Sequence, residues 1–122
     1  MGDDLERRTE NGRRVFREVT GLDPPTYGSP AMSASMLPHV FGEIWERPGL
    51  TRKERRWISL TCAALSGATV AIEAHIRGAL VSGDITIDEL SEWVLQVALY
   101  AGWPTASAIE GAVQRIKTQL PQ

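Results

Sequence analysis

The chain has 122 residues, the size of one domain, with 43% hydrophobic and 23% charged residues; this balance supports a buried core and argues against disorder. Thirteen Lys and Arg against fifteen Asp and Glu give a net charge of −2, without the basic excess carried by small nucleic-acid binders that live on phosphate contacts. The single cysteine, Cys62, excludes an intrachain disulfide and any Cys-x-x-Cys redox or zinc motif. The opening from Met1 to Arg8 is charged and no apolar run reaches about 18 residues, so the expectation is a cytoplasmic protein without membrane association.

In chain order, Leu5 to Val19 reads as a helix with a thin apolar stripe of Leu5, Val15, Phe16 and Val19. So polar a helix is expected to lie on the body or on another subunit, because isolated helices of this length are marginal. Gly21 to Pro30 contains Pro24-Pro25 and cannot be helix, which makes residues 1–30 a helix and a Pro-rich linker ahead of a helical core at 31–122. Ala31 to Trp45 places Met32, Met36, Val40 or Phe41, and Ile44 at helical spacing. Thr51-Arg-Lys-Glu54 is a capping box that opens a helix through Leu65, with Trp57, Ile58, Thr61, Cys62 and Leu65 as its apolar face. Trp57 reads as core, and Cys62 as a buried, inert thiol. Gly67 breaks the run before a helix from about Thr69 to Gly83. Thr86-Ile-Asp-Glu89 is a second capping box, for a helix through Tyr100, and Pro104 suits the first turn of a last helix carrying Ile109, Val113, Ile116 and Leu120. β-branched alternation is nowhere sustained. The fold class is all-α, a single domain of about six helices.

Three strings, in order, carry more information than periodicity: Gly42-Glu-Ile-Trp-Glu-Arg-Pro-Gly-Leu50, Ala74-His-Ile-Arg-Gly-Ala-Leu80 and Leu95-Gln-Val-Ala-Leu-Tyr-Ala-Gly-Trp-Pro104. Together they resemble the carboxymuconolactone decarboxylase family, and Asn11 to Gly21 is similar to the N-terminal helix of its decarboxylase branch. The resemblance implies an all-helical fold assembled as a homo-oligomer, a trimer or a hexamer, with an active site between helices near the subunit contact. One branch, resembling the alkylhydroperoxidase D proteins, uses a Cys-x-x-Cys pair, a following His and an upstream Glu. Matching His75 to that histidine puts Ala68 and Ala71 at the cysteine positions and Arg56 at or beside the glutamate. Alanine cannot replace a thiolate nucleophile, so the cysteine-pair peroxidase mechanism is excluded. The other branch resembles γ-carboxymuconolactone decarboxylase, which implies neither cofactor nor metal.

The candidate residues have two readings each. His75 lies on a small and apolar helix face with Ala71, Ile72, Gly78, Ala79 and Ser82; it is either a core histidine tied to a backbone carbonyl or a group that handles a proton or an enolate. Glu73 and Arg77 project away from it and are spaced as an i,i+4 ion pair. Arg47, held out of the helix by Pro48, either takes a substrate carboxylate or pairs with Glu43, itself a candidate substrate contact. Arg56 is either solvated or a cation facing the pocket. Trp103, beside Pro104 and Tyr100, is the tryptophan expected to line a cavity, with Tyr100 as its neighbour. The resulting expectation is a cofactor-free decarboxylase-like enzyme for a small carboxylated lactone such as γ-carboxymuconolactone. Arg47 or Arg56 would hold a carboxylate, and His75 would donate to the enolate or reprotonate carbon. The alternative is a non-catalytic binding or assembly protein on the same fold.

Overall fold

The computed structural model describes residues 2–25 and 30–121. The elements are α1 (Gly2–Thr20), α2 (Pro30–Ser35), a π-helical stretch (Met36–Phe41), a short 3-10 helix (Ile44–Glu46), α3 (Arg52–Ser66), α4 (Thr69–Ser82), α5 (Ile87–Ala101) and α6 (Trp103–Gln119). The described residues contain no strand. The class is all-α with six α-helices, and no helix among the described residues is long and apolar enough to cross a membrane.

Both capping boxes form. Thr51 accepts from the Glu54 amide while Glu54 accepts from the Thr51 amide, and Thr86 and Glu89 repeat the arrangement. Each box satisfies two of the donors that a helix start leaves unpaired. Gly67, at φ 69°, closes α3 in the left-handed region that a side chain avoids, and Pro104 occupies the first turn of α6. The segment expected as one helix from Ala31 to Trp45 is instead broken. Pro38 has no N–H and crowds the carbonyl four residues back, and the ladder widens, with the Gly42 amide donating to Leu37 O five residues earlier at 2.9 Å. In the linker, residues 21–25 are non-helical as expected, while Thr26 to Ser29 lie outside the described residues.

The main core joins α3, α4, α5 and α6 through Leu60, Ile72, Ile76, Ile85, Leu90, Val97, Ile109, Val113 and Ile116. A second, smaller core holds Val15 and Val19 of α1 against Phe41 and Trp45, with Phe16 and Met36 packed beside them. α1 therefore lies on its own body, against the π-helical stretch and α4. Its apolar stripe is thin, but two glycines let backbone meet backbone. A Cβ on Gly78 would stand 1.5 Å from Val19 O, and one on Gly12 would stand 1.8 Å from Leu37 O. The sparse stripe is thus no argument for docking on a second subunit.

The apolar face expected on α3 is the wrong face. The buried positions are Arg56, Leu60, Ala63 and Ala64, whereas Ile58 and Leu65 are 53% and 62% exposed and Cys62 is exposed. Trp57 is only partly buried and packs against the edge of the main core. The buried face of α3 is made of two alanines, one leucine and one arginine, a mix in which large apolar side chains do not mark the inward side.

Candidate functional site

The second core delivers an aromatic chain to α4. Phe16 meets Phe41 edge-on at 4.8 Å, Phe41 stacks on Trp45 at 6.3 Å, and Trp45 stacks on the His75 imidazole at 5.9 Å with 15° between the planes. Trp45 is buried and sits in the 3-10 helix that follows the break at Pro38. The Gly42-to-Leu50 string thus has a physical purpose, which is to place an indole face against the histidine of the second string.

His75 is half-buried, and its Nδ1 is enclosed with no hydrogen-bond partner. The expected alternative of a histidine tied to a backbone carbonyl does not hold for that nitrogen. Burial first, and the nearby Arg56 charge second, push its pKa below the ordinary histidine value. The imidazole is therefore neutral at pH 7. A neutral ring has one donor and one acceptor nitrogen, and leaving such a buried atom unpaired costs about 1–3 kcal/mol.

Trp45 also helps to line an open cavity of about 190 Å³, together with Ile44, Arg55, Ile58 and Ser59. Arg55 donates from Nη2 to Arg47 O at 3.1 Å, and its Nε is buried without a partner. Arg55 went unnoticed in the sequence, where it reads as one cation among several in a basic run. The signal available was its place one turn into a capped helix, directly after the Arg47-Pro48-Gly49 turn, within reach of that turn's carbonyls.

Arg47 has the extended backbone that Pro48 imposes, φ −66° and ψ 140°. Its side chain is exposed, and among the described residues its guanidinium has no ion-pair partner. The alternative of a Glu43–Arg47 pair is not met among the described residues. Glu43 faces His39 at 3.1 Å and Arg8 at 3.6 Å, so it ties the π-helical stretch to α1. Nor do Glu73 and Arg77 pair with one another. Glu73 holds Arg115 at 2.9 Å and Arg77 donates to Gln119, two links from α4 to α6 that helical spacing alone does not reveal.

Arg56 is 1% exposed, which corrects the solvated reading. Its Nε donates to Asp84 Oδ2 at 2.9 Å, Nη1 to Val19 O at 2.7 Å and Nη2 to Glu18 O at 3.0 Å. The last two acceptors are carbonyls left unpaired at the end of α1. Arg56 therefore fastens α1 to α3 and, through Asp84, to the turn after α4. Its burial lowers its own pKa, opposed by Asp84, and an arginine remains charged even so.

Trp103 and Tyr100 are 68% and 86% exposed. Trp103 does line a groove of about 220 Å³ between α5 and α6, with Leu95, Ala98 and Ala106 among its walls, but that groove shares no residue with the Trp45 cavity. Among the described residues no three of His, Cys, Asp or Glu gather to hold a metal ion.

The sequence pattern of the carboxymuconolactone decarboxylase family matches residues 30–115. A 4-carboxymuconolactone decarboxylase from Acinetobacter baylyi is 37% identical over 69 residues, covering 57% of this chain and 51% of that protein. Against that relative the chain spans about half the length. A nitrosuccinic acid decarboxylase from Metarhizium robertsii is 38% identical over 125 aligned positions, covering 95% of this chain and 85% of that protein. With the matched region spanning the Trp45 cavity and His75, the chain belongs to the carboxymuconolactone decarboxylase family.

Proposed function

We propose that the chain is a decarboxylase for a small carboxylic acid that, on losing carbon dioxide, leaves a carbanion conjugated with an electron-accepting group, working without cofactor in the space around Trp45 and His75. The observation that carries this reading is a His75 imidazole with its Nδ1 enclosed and without a hydrogen-bond partner, held neutral in a chain of this family. The two relatives' names support it, since 4-carboxymuconolactone and nitrosuccinic acid both combine carboxyl groups with such an acceptor, a lactone carbonyl in one and a nitro group in the other.

In the reaction the carbon–carboxylate bond breaks heterolytically and carbon dioxide leaves. The electron pair stays on the substrate carbon and spreads onto the acceptor oxygen, as an enolate or a nitronate. A proton from water then quenches the carbanion. A donor aimed at that oxygen lowers the barrier, and one such donor is worth about 10²–10³ in rate. A neutral imidazole N–H suits this task, because it donates a hydrogen bond without surrendering a proton. Of the two roles expected for His75, donation to the developing oxyanion fits a lowered pKa better than proton delivery to carbon. Arg47, exposed and without an acidic partner, meets a substrate carboxylate. Arg56, with its three nitrogens engaged, acts by holding the α1 end of the site and by keeping His75 neutral through its charge.

We also propose that the working unit is a homo-oligomer, a trimer or a hexamer. Support comes from the uncovered apolar side chains Ile58 and Leu65 on α3, Leu99 and Tyr100 on α5, and Trp103 on α6, which closed symmetric assembly is suited to bury. Light scattering coupled to size exclusion tests this, and a mass near 13.4 kDa at micromolar concentration would refute it. The enzymatic reading is tested by supplying 4-carboxymuconolactone and nitrosuccinate to the purified protein and measuring carbon dioxide. Release from either substrate supports it, and release from neither returns the chain to the binding-protein alternative.

A further inference from the structure

Two buried side-chain nitrogens lack a partner among the described residues, Arg55 Nε and His75 Nδ1. Both border Trp45. His75 stacks on its ring, and Arg55 shares a cavity wall with it. Elsewhere polar side chains in the packed regions find partners, as Arg56 and the Trp93 indole do, the latter donating to Thr61 Oγ1 at 3.0 Å. An arginine in a cavity wall with a donor left unpaired therefore points to an occupant that brings acceptors.

The nature of that occupant follows from charge. The acidic groups near Arg55 in sequence are committed elsewhere. Glu54 lies near enough to feel the Arg55 charge, but its carboxylate is hydrogen-bonded at its own helix start, and Glu46 holds Arg14 and Arg52. Among the described residues no carboxylate forms an ion pair with Arg55 or with Arg47, although acids outnumber bases in the chain. The hydrogen bond from Arg55 Nη2 to Arg47 O fixes the guanidinium at the turn, where Arg55 forms part of the cavity wall. The remaining walls, Ile44, Trp45 and Ile58, are apolar, and Ser59 adds one hydroxyl. A cation edge at one end of a small apolar cavity is a seat for a carboxylate on a short carbon chain.

We infer that Arg55 is the specificity-determining residue of this pocket: its guanidinium, standing in the cavity wall, binds the carboxylate that the substrate keeps, so the pocket selects dicarboxylic over monocarboxylic acids. The inference rests on the decarboxylase reading only for calling that group the one that is kept; the binding itself does not need turnover.

Two unreactive acids of equal chain length, succinate and butyrate, test it by calorimetry or by tryptophan fluorescence on the whole chain. Wild-type protein is expected to bind succinate at least tenfold more tightly than butyrate. Arg55→Gln is expected to bring the ratio close to one, a change that mere loosening of the turn would not produce, since both acids would then weaken together. Ser59→Leu fills the cavity while keeping the Arg55–Arg47 bond, and is expected to abolish binding of both acids in a protein that melts normally. This second variant decides the matter if Arg55→Gln does not fold. A succinate preference retained in folded Arg55→Gln, unchanged binding in Ser59→Leu, or no succinate preference in wild type would overturn the inference. Arg55-dependent succinate binding in a protein that releases no carbon dioxide supports it and sinks only the decarboxylase reading. Normal turnover with Arg55-independent binding does the reverse.

Discussion

Arg55 and Arg56 are adjacent on α3, yet they serve two regions built on different terms. Around Arg56 the chain is closed: each guanidinium nitrogen has an acceptor, α1 crosses α4 with backbone against Gly78, and the side chain is shut off from water. Around Arg55 the chain is open: one donor fastens a turn, Nε faces no partner, and a cavity lies alongside between Trp45 and Ser59. Two cations one residue apart point about 100° apart around a helix, which suffices to put one in the scaffold and the other at a site. A buried charge with every nitrogen engaged reports architecture, whereas a nitrogen left unengaged on a cavity-lining side chain reports a place for a ligand.

The comparison is broken most severely by changing the closed region. Gly78→Ala drives a methyl into the Val19 carbonyl, and neither partner is a flexible side-chain end that could move aside. The expected loss is about 3 kcal/mol, the upper part of the range for overpacking, with α1 undocked and more readily cut by protease. Urea denaturation and limited proteolysis check this, and a wild-type midpoint would show that α1 is not seated as described. Arg56→Met is expected to cost on the order of 3 kcal/mol, since it strips the α1 carbonyls and leaves Asp84 without its cation. Denaturation with and without a second change, Asp84→Asn, separates the ion pair from the carbonyl contacts.

These two effects also mark what the sequence disclosed and what it hid. Helix starts were legible because a capping box is a local pattern, Thr51 with Glu54 and Thr86 with Glu89. His75 was legible as an inward residue from the small side chains around it. What stayed hidden was set by partners distant in the chain. Arg56 reads as a surface cation until the end of α1 is brought to it from 37 residues away, and Glu73 finds Arg115 rather than the nearby Arg77. The face of α3 was misread because Ala63 and Ala64 are among its buried positions while Ile58, Cys62 and Leu65, larger and more apolar, point away.

A smaller effect sharpens the electrostatic half of the comparison. His75 has a lowered pKa when folded, so the unfolded chain binds the extra proton first, at about 6.5. Stability is then unaffected by His75 above that pH and falls as the pH drops below it, until the folded value is reached. Between pH 7.5 and 5.5 the loss is at most about 1.4 kcal/mol, the ceiling for one proton over one pH unit. Denaturation of wild type and His75→Gln at both pH values isolates it, and equal losses in the two proteins would mean that His75 is not held neutral. Smallest of all, Cys62→Ser is expected to change single-chain stability by less than about 0.5 kcal/mol, because the thiol is exposed. It should leave activity intact, as no cysteine pair exists to require it.

The most direct test of the open region as the working site is carbon dioxide release by His75→Ala beside wild type, with 4-carboxymuconolactone and nitrosuccinate as substrates and thermal melts to establish folding. Loss of a single donor at the oxyanion predicts a fall in kcat of about 10²–10³ in a protein that still melts cooperatively. Wild-type turnover in folded His75→Ala would contradict the account and move the chemistry away from Trp45.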